Sequence, residues 1–135
     1  MEFSGSAEYQ RRRYQDKSLQ RTVAAADTTI AGLISCLNDK HTLHIQCIRF
    51  LVTTDAAMTW TFRDSAGTPI VLWVIPASVG VGLQEMDFVR SHGARGFALT
   101  AGKNLDLAMS GAGYAGTLMI DAFQKSSATM IPSEG

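Results

Sequence analysis

From Asn104 to Asp121 the chain repeats with a period of two, and that period constrains the fold more than any other feature. Leu105, Leu107 and Met109 alternate with Asn104, Asp106 and Ala108; beyond Ser110-Gly111-Ala112-Gly113, Leu118 and Ile120 alternate with Thr117, Met119 and Asp121. In an extended backbone successive side chains point to opposite faces, so each half of this stretch presents one face to a core. The intervening glycines supply the positive φ that a tight reversal needs, and Gly96 to Phe123 is predicted to be a closing β-hairpin.

The same period recurs upstream. Met58, Trp60 and Phe62 alternate with Thr59, Thr61 and Arg63, which predicts a half-buried strand with Trp60 in the core, followed by a reversal at Asp64-Ser65-Ala66-Gly67. In Thr42 to Thr53 the alternation slips: Leu43, Ile45 and Cys47 share one parity, whereas Ile48, Phe50 and Val52 share the other. A bulge near Gln46 reconciles the two halves. Arg21 to Ala26 reads as a first strand, Asp27-Thr28-Thr29 as a turn or helix cap before Ile30 to Ile34, and Asn38-Asp39-Lys40 as a turn. Leu83 to Phe88 reads as a short strand and Val89 to Arg95 as a loop. Ile70 to Ile75 is apolar at every position before Pro76 and a small-residue loop, so both its faces should be covered. The side carrying Val71, Trp73 and Ile75 then needs a lid, and these three residues are the expected subunit interface.

About eight short strands with turn chemistry between them, and no amphipathic helix of three turns, predict an all-β fold: a two-sheet, jelly-roll-like β-sandwich with an extended N-terminal arm. The expected boundaries are an arm over 1–20, a sandwich over 21–125 and a tail over 126–135. The arm is polar and carries Tyr9, Arg11, Arg12, Arg13, Tyr14 and Lys17 among acidic neighbours. Tyrosine and arginine are enriched where interfaces form, so these residues are the candidate docking arm. One arginine triplet beside acids is a weak footprint for nucleic acid, and no nucleic-acid partner is expected.

Apolar residues make up 46% of the 135 and charged residues 18%, with a formal net charge of zero. A chain so weakly charged implies that part of its surface is covered by a partner. No apolar run approaches the roughly 18 residues of a membrane helix, and the first residues lack the apolar stretch of a signal peptide; synthesis in a cytosol with reduced Cys36 and Cys47 is the expectation.

Three constellations resemble chemistry. Gly111 to Gly116 fits G-x-G-x-x-G, but the residues after it have strand rather than helix periodicity. Cys36, His41, His44 and Cys47 have a spacing that suggests zinc, yet a regular strand puts His44 and Cys47 on opposite faces. Ser91-His92 with Asp87, or Cys47 with His44, supply the residue types for nucleophilic catalysis without a recognisable elbow. Asp55, Asp64, Asp87, Asp106 and Asp121 are scattered singly and give no acid–base pair. No catalytic residue, cofactor or metal is therefore expected.

The order of these elements carries a family resemblance: Asp27-Thr28-Thr29-Ile30, the β run Leu43 to Val52, Met58 to Phe62 closing at Asp64 to Gly67, Pro76 with its small-residue loop, Leu83 to Phe88, Leu99-Thr-Ala-Gly-Lys-Asn-Leu105, and the glycine turn into Gly116 to Ile120. Over residues 22 to 124 the chain resembles small virion proteins of tailed phages, of the jelly-roll head decoration (cement) type. The resemblance implies a non-enzymatic homotrimer on the outside of the capsid, bridging and stabilising the major capsid protein. The long arm departs from the compact pattern of that type, which leaves a neck, tail or head-fibre position open. The alternative is a carbohydrate- or receptor-binding sandwich module of a tail, neck or head fibre, with an exposed tryptophan as its stacking platform.

Overall fold

The computed structural model describes residues 14–126. Among them the chain forms ten strands and one short helix: β1 (Tyr14–Asp16), β2 (Leu19–Val23), β3 (Ile30–Ile34), β4 (His41–Thr54), β5 (Trp60–Asp64), β6 (Val71–Ile75), β7 (Gly82–Asp87), α1 (Phe88–His92), β8 (Phe97–Ala98), β9 (Leu105–Met109) and β10 (Ala115–Ser126). The larger sheet runs β1-β10-β4-β7, with β2 also on β10 and β8 also on β4; the smaller sheet runs β3-β9-β5-β6. All the pairings are antiparallel. The order β2-β10-β4-β7 over β3-β9-β5-β6 is that of a jelly roll, so the expected all-β sandwich is what the chain forms.

The alternation on β4 and β10 builds the interior. In their ladder Asp121 faces Cys47 and Ala122 faces Ile45, which leaves Gln46 as the extra residue of a bulge at the predicted position. The bulge turns Leu43 and Ile45 on one side of it, and Ile48, Phe50 and Val52 on the other, toward the same core. Opposite them the smaller sheet contributes Trp60, Phe62, Leu105 and Leu107, all fully buried. Phe50 stacks on Trp60 at 4.1 Å between ring centroids, and Tyr114 meets both rings edge-on. Burying each such side chain stabilises the sandwich by roughly 1.5–3 kcal/mol, so this aromatic centre outweighs any surface pair.

Two polar details fix the backbone around this centre. Gly116 lies so close to β4 that a Cβ there would run into the Leu51 carbonyl, at a second register shift of the β4–β10 ladder. Asp64 ends β5 fully buried and accepts four hydrogen bonds, from the amides of Ala66, Ile70 and Thr100 and from the Thr100 hydroxyl. Burial alone would raise this carboxyl, but the four donors outweigh it and hold its pKa below the ordinary carboxylate value.

Four expectations need correction. The predicted hairpin is not one: β9 lies in the smaller sheet and β10 in the larger, so Ser110 to Tyr114 crosses between sheets. Alternation says which face of a strand is apolar and is silent about the neighbour it pairs with. The arm boundary at residue 20 moves back, because Tyr14–Asp16 and Leu19–Val23 both pair with β10. Val71, Trp73 and Ile75 do not share a face, since Phe62 pairs with Trp73 and Arg63 with Val71, leaving Leu72 as an extra residue. That bulge turns Trp73 and Ile75 inward and Val71 outward, and the strand is not covered on both faces. Finally, Val89 to Arg95 is not all loop. Asp87 accepts from the amides of Val89 and Arg90, and this cap starts one turn of helix.

Candidate functional site

The expected docking residues fall into two groups. Tyr9, Arg11, Arg12 and Arg13 lie outside the described residues, whereas Tyr14 and Lys17 belong to the edge of the larger sheet. Tyr14 pairs with Lys125, and its ring lies 5.9 Å from that of Phe123, which in turn stacks flat on His44 at 4.8 Å. Arg95, from the loop before β8, donates to the Tyr14 hydroxyl at 3.4 Å across this aromatic row. Among the described residues, His44 Nδ1 is buried without a hydrogen-bond partner. Its burial, and then the nearby positive charges of Arg95 and Lys125, push its pKa down. The main-chain amide of Lys17 donates to the Ala122 carbonyl at 2.9 Å, so Lys17 is anchored through its backbone beside β10. No sequence signal pointed to Arg95, because its partner is 81 residues away.

The expected subunit interface is split by the β6 bulge. Ile75 is fully buried, and Trp73 is half-buried with its ring stacked on Phe62 at 5.8 Å. Val71 and Val74 are exposed instead, and among the described residues β6 is the outermost strand of its sheet. Trp60 is in the core, and Trp73 lays one face of its ring on Phe62.

The groups that resembled catalytic or metal sites do not converge, although the expectation that His44 and Cys47 lie on opposite faces needs correction: the Gln46 bulge puts both on the outer face of β4. Ser91 Oγ and His92 Nδ1 are 2.7 Å apart on the exposed face of α1, but the Asp87 carboxylate is engaged by the start of the helix and does not orient the imidazole. A nucleophile needs that third group in line. Cys36 donates weakly to the carbonyls of Asn38 and His41, while His41 Nδ1 meets Asn38 Oδ1 at 2.8 Å. Cys47 sits behind Arg49, which bridges Glu85 at 2.8 Å and Asp121 at 3.2 Å on the outer face of the larger sheet. Burial pushes the Cys47 thiol up, opposite to what a reactive thiolate needs. Both cysteines are free, and among the described residues no group of three or more His, Cys, Asp or Glu side chains is placed to hold a metal ion. The groove over Cys47 and Arg49, about 370 Å³, is shallow and open.

Hydrogen bonds between loops organise both ends of the sandwich. At one end the loops after β4, β6 and β9 pack on one another: the Ser78 amide donates to the Ala56 carbonyl at 2.8 Å, and the Tyr114 hydroxyl donates to the Pro76 carbonyl at 2.9 Å and accepts from the Val79 amide. Tyr114 is the residue that carries the chain from one sheet to the other, and it is buried. At the opposite end the loops after β3, β5 and β8 are tied in the same way, through Ser65 with Asn104, Cys36 with Asn104, and Gly102 with His41.

No protein-family model matches this chain, and no curated protein matches it. Among solved structures it is similar to a chain described under "Bacillus endospore appendages form a novel family of disulfide-linked pili", with 12% sequence identity and a TM-score of 0.45, over 85% of this chain and 88% of that one. A likeness that distant carries no functional argument, and the surfaces above are what bear on function.

Proposed function

We propose that this chain is a non-enzymatic structural subunit whose work is attachment within a larger protein assembly. The observation that carries the proposal is the β6 edge. Val71-Leu72-Trp73-Val74-Ile75 contains no charge and no proline, lies outermost in its sheet, and exposes Val71 by 51% and Val74 by 44%. Soluble proteins blunt such edges with charges, prolines or a cover, because unpaired backbone groups beside apolar side chains recruit other chains. A subunit whose edge is covered on assembly has no need of those devices. The sequence order favours one form of this role, decoration of a virion shell, with the major capsid protein as partner and a trimer as the self-associated state.

The double variant Val71→Lys/Val74→Lys tests the edge, since both side chains are exposed and the fold does not depend on them. Light scattering should show its mass falling to the 14.6 kDa of the single chain. An oligomer of unchanged mass removes β6 from the interface. Cosedimentation with shells built from the major capsid protein of the same genome tests the narrower role, and a chain that stays in the supernatant ends it.

A further inference from the structure

His44 stands on β4, a strand held by β10 on one side and by β7 and β8 on the other, so its backbone cannot give way. Its ring lies flat on Phe123 of β10, and Phe123 in turn meets Tyr14 of β1. Arg95 reaches the Tyr14 hydroxyl from the loop before β8, whose two residues pair with His44 and Ile45. Lys125 is the register partner of Tyr14 and follows Phe123 by two residues, which puts it on the same outer face. The carboxylates of this face are committed elsewhere. Asp16 on β1 accepts the Ser18 amide, Asp121 on β10 and Glu85 on β7 hold Arg49, and Asp87 caps α1. Among the described residues no ion pair joins a carboxylate to Arg95 or Lys125.

We infer that His44 is a proton-operated latch for β1: while its ring is neutral β1 stays docked on β10, and a proton on that ring releases β1 with its Tyr14. A neutral imidazole can carry its proton on Nε2 and leave Nδ1 bare, whereas the imidazolium must carry a proton on both nitrogens. At Nδ1 that proton is buried with no acceptor among the described residues. The new charge also stands near Arg95 and Lys125, with the carboxylates of the face already engaged. The π-face of Phe123 returns part of the cost. Burial first, and then the two cations, hold the His44 pKa below its ordinary value of about 6.5, so the docked state is the poorer proton binder and loses ground as pH falls below that value. The neighbour that yields is the weakest one. β1 has three residues and lies at the edge of the sheet, held by its ladder, by the Gln124 side-chain amide on Gln15 Oε1 at 2.6 Å and by Arg95 on Tyr14. The opening stops at Lys17 and Ser18, which are bonded to the main chain of Ala122. It frees Arg95 to move off the aromatic row and uncovers Phe123 and the β10 edge as far as Lys125. Asp16, whose bond from the Ser18 amide lowers its pKa, stays charged through this range, and the Cys47 thiol, pushed up by burial, stays neutral.

Amide hydrogen exchange on the full-length chain tests the latch, with each rate divided by the intrinsic rate at the same pH. From pH 7 to pH 5 the protection of residues 14–16 should fall severalfold, while that of β5 and β9 in the smaller sheet holds within about twofold. The fall should track the titration of the His44 ring followed by NMR, with a midpoint below about 6.5. His44→Phe keeps a ring on Phe123 and should keep β1 protected at pH 5. His41, at the Asn38 turn, and His92, beside Ser91 on α1, are unchanged in that variant and serve as controls. Lys125→Gln alters a partly exposed side chain, retains His44 and should make the fall smaller. Equal protection of residues 14–16 at both pH values, a fall that survives in His44→Phe, a fall undiminished in Lys125→Gln, or a loss shared equally by β5 and β9 overturns the inference.

Discussion

Replacing Asp64 with asparagine keeps the shape of a fully buried side chain and removes its charge. Oδ1 of Asp64 accepts the amides of Ala66 at 3.2 Å and Ile70 at 3.0 Å, while Oδ2 accepts the Thr100 amide at 3.2 Å and the Thr100 hydroxyl at 2.7 Å. The single oxygen of an asparagine serves one of these pairs, and its NH₂ then faces the donors of the other. If it keeps the turn amides, the Thr100 hydroxyl can rotate to accept, but the Thr100 amide cannot. A buried N–H left without a partner costs about 1–3 kcal/mol, and the surviving bonds fall from charge-assisted to neutral strength. Relief of the carboxylate's desolvation returns part of this, which leaves a net loss of about 2–3 kcal/mol. With a urea slope of about 2 kcal/mol/M, the unfolding midpoint followed by tryptophan fluorescence should drop by about 1–1.5 M at pH 7. The folded pKa of Asp64 lies below its unfolded value, so its contribution is complete above the unfolded pKa of about 3.9 and is lost as pH falls through the folded value. The gap between wild type and variant should therefore narrow below about pH 4. A midpoint shift under about 0.3 M at pH 7, or a gap that persists unchanged in acid, refutes the reasoning.

Gly116→Ala should cost about 3 kcal/mol or prevent folding, because the new methyl meets the backbone carbonyl of Leu51, which cannot move without breaking the β4–β10 ladder; Gly111→Ala, whose methyl enters open space, should stay within about 0.5 kcal/mol in the same urea titration. The lowered pKa of His44 makes the unfolded chain the stronger proton binder below about pH 6.5, so stability should fall as pH drops from 7 toward 5. His44→Phe, which keeps a ring against Phe123, should flatten that part of the melting-temperature profile, and an unflattened profile assigns the loss elsewhere.

Much of the fold was legible because burial imposes a period. The inward sets on β4, β5 and β10 and the Gln46 bulge follow from which side chains must meet the core, and the stop at Pro76 from a residue with no N–H to give a ladder. What stayed hidden depended on neighbours distant in sequence. Alternation in Leu105 to Met109 and in Leu118 to Ile120 is the same whether two strands pair or face each other across a sandwich, and so it does not distinguish the crossing at Ser110 to Tyr114 from a hairpin. The apolar run of β6 gave no sign of its bulge, because side chains of one type on both faces leave no alternation to slip. The polarity of residues 14–20 suggests an arm, yet their backbone fills the edge of β10 whatever their side chains are.

Tyr114 also affects how the end formed by the loops after β4, β6 and β9 can be used. Its hydroxyl reaches out of the core to fasten the Pro76–Val79 segment, so the shape offered to a visitor is fixed by the same ring that fills the aromatic centre. A surface set in advance asks its ligand to surrender little freedom on the receiving side, and the entropy of ordering falls on the incoming chain alone. Taking away that one oxygen, as in Tyr114→Phe, would leave the interior filled while unfastening the landing site, and so would separate how well the protein folds from how tightly anything can rest on it.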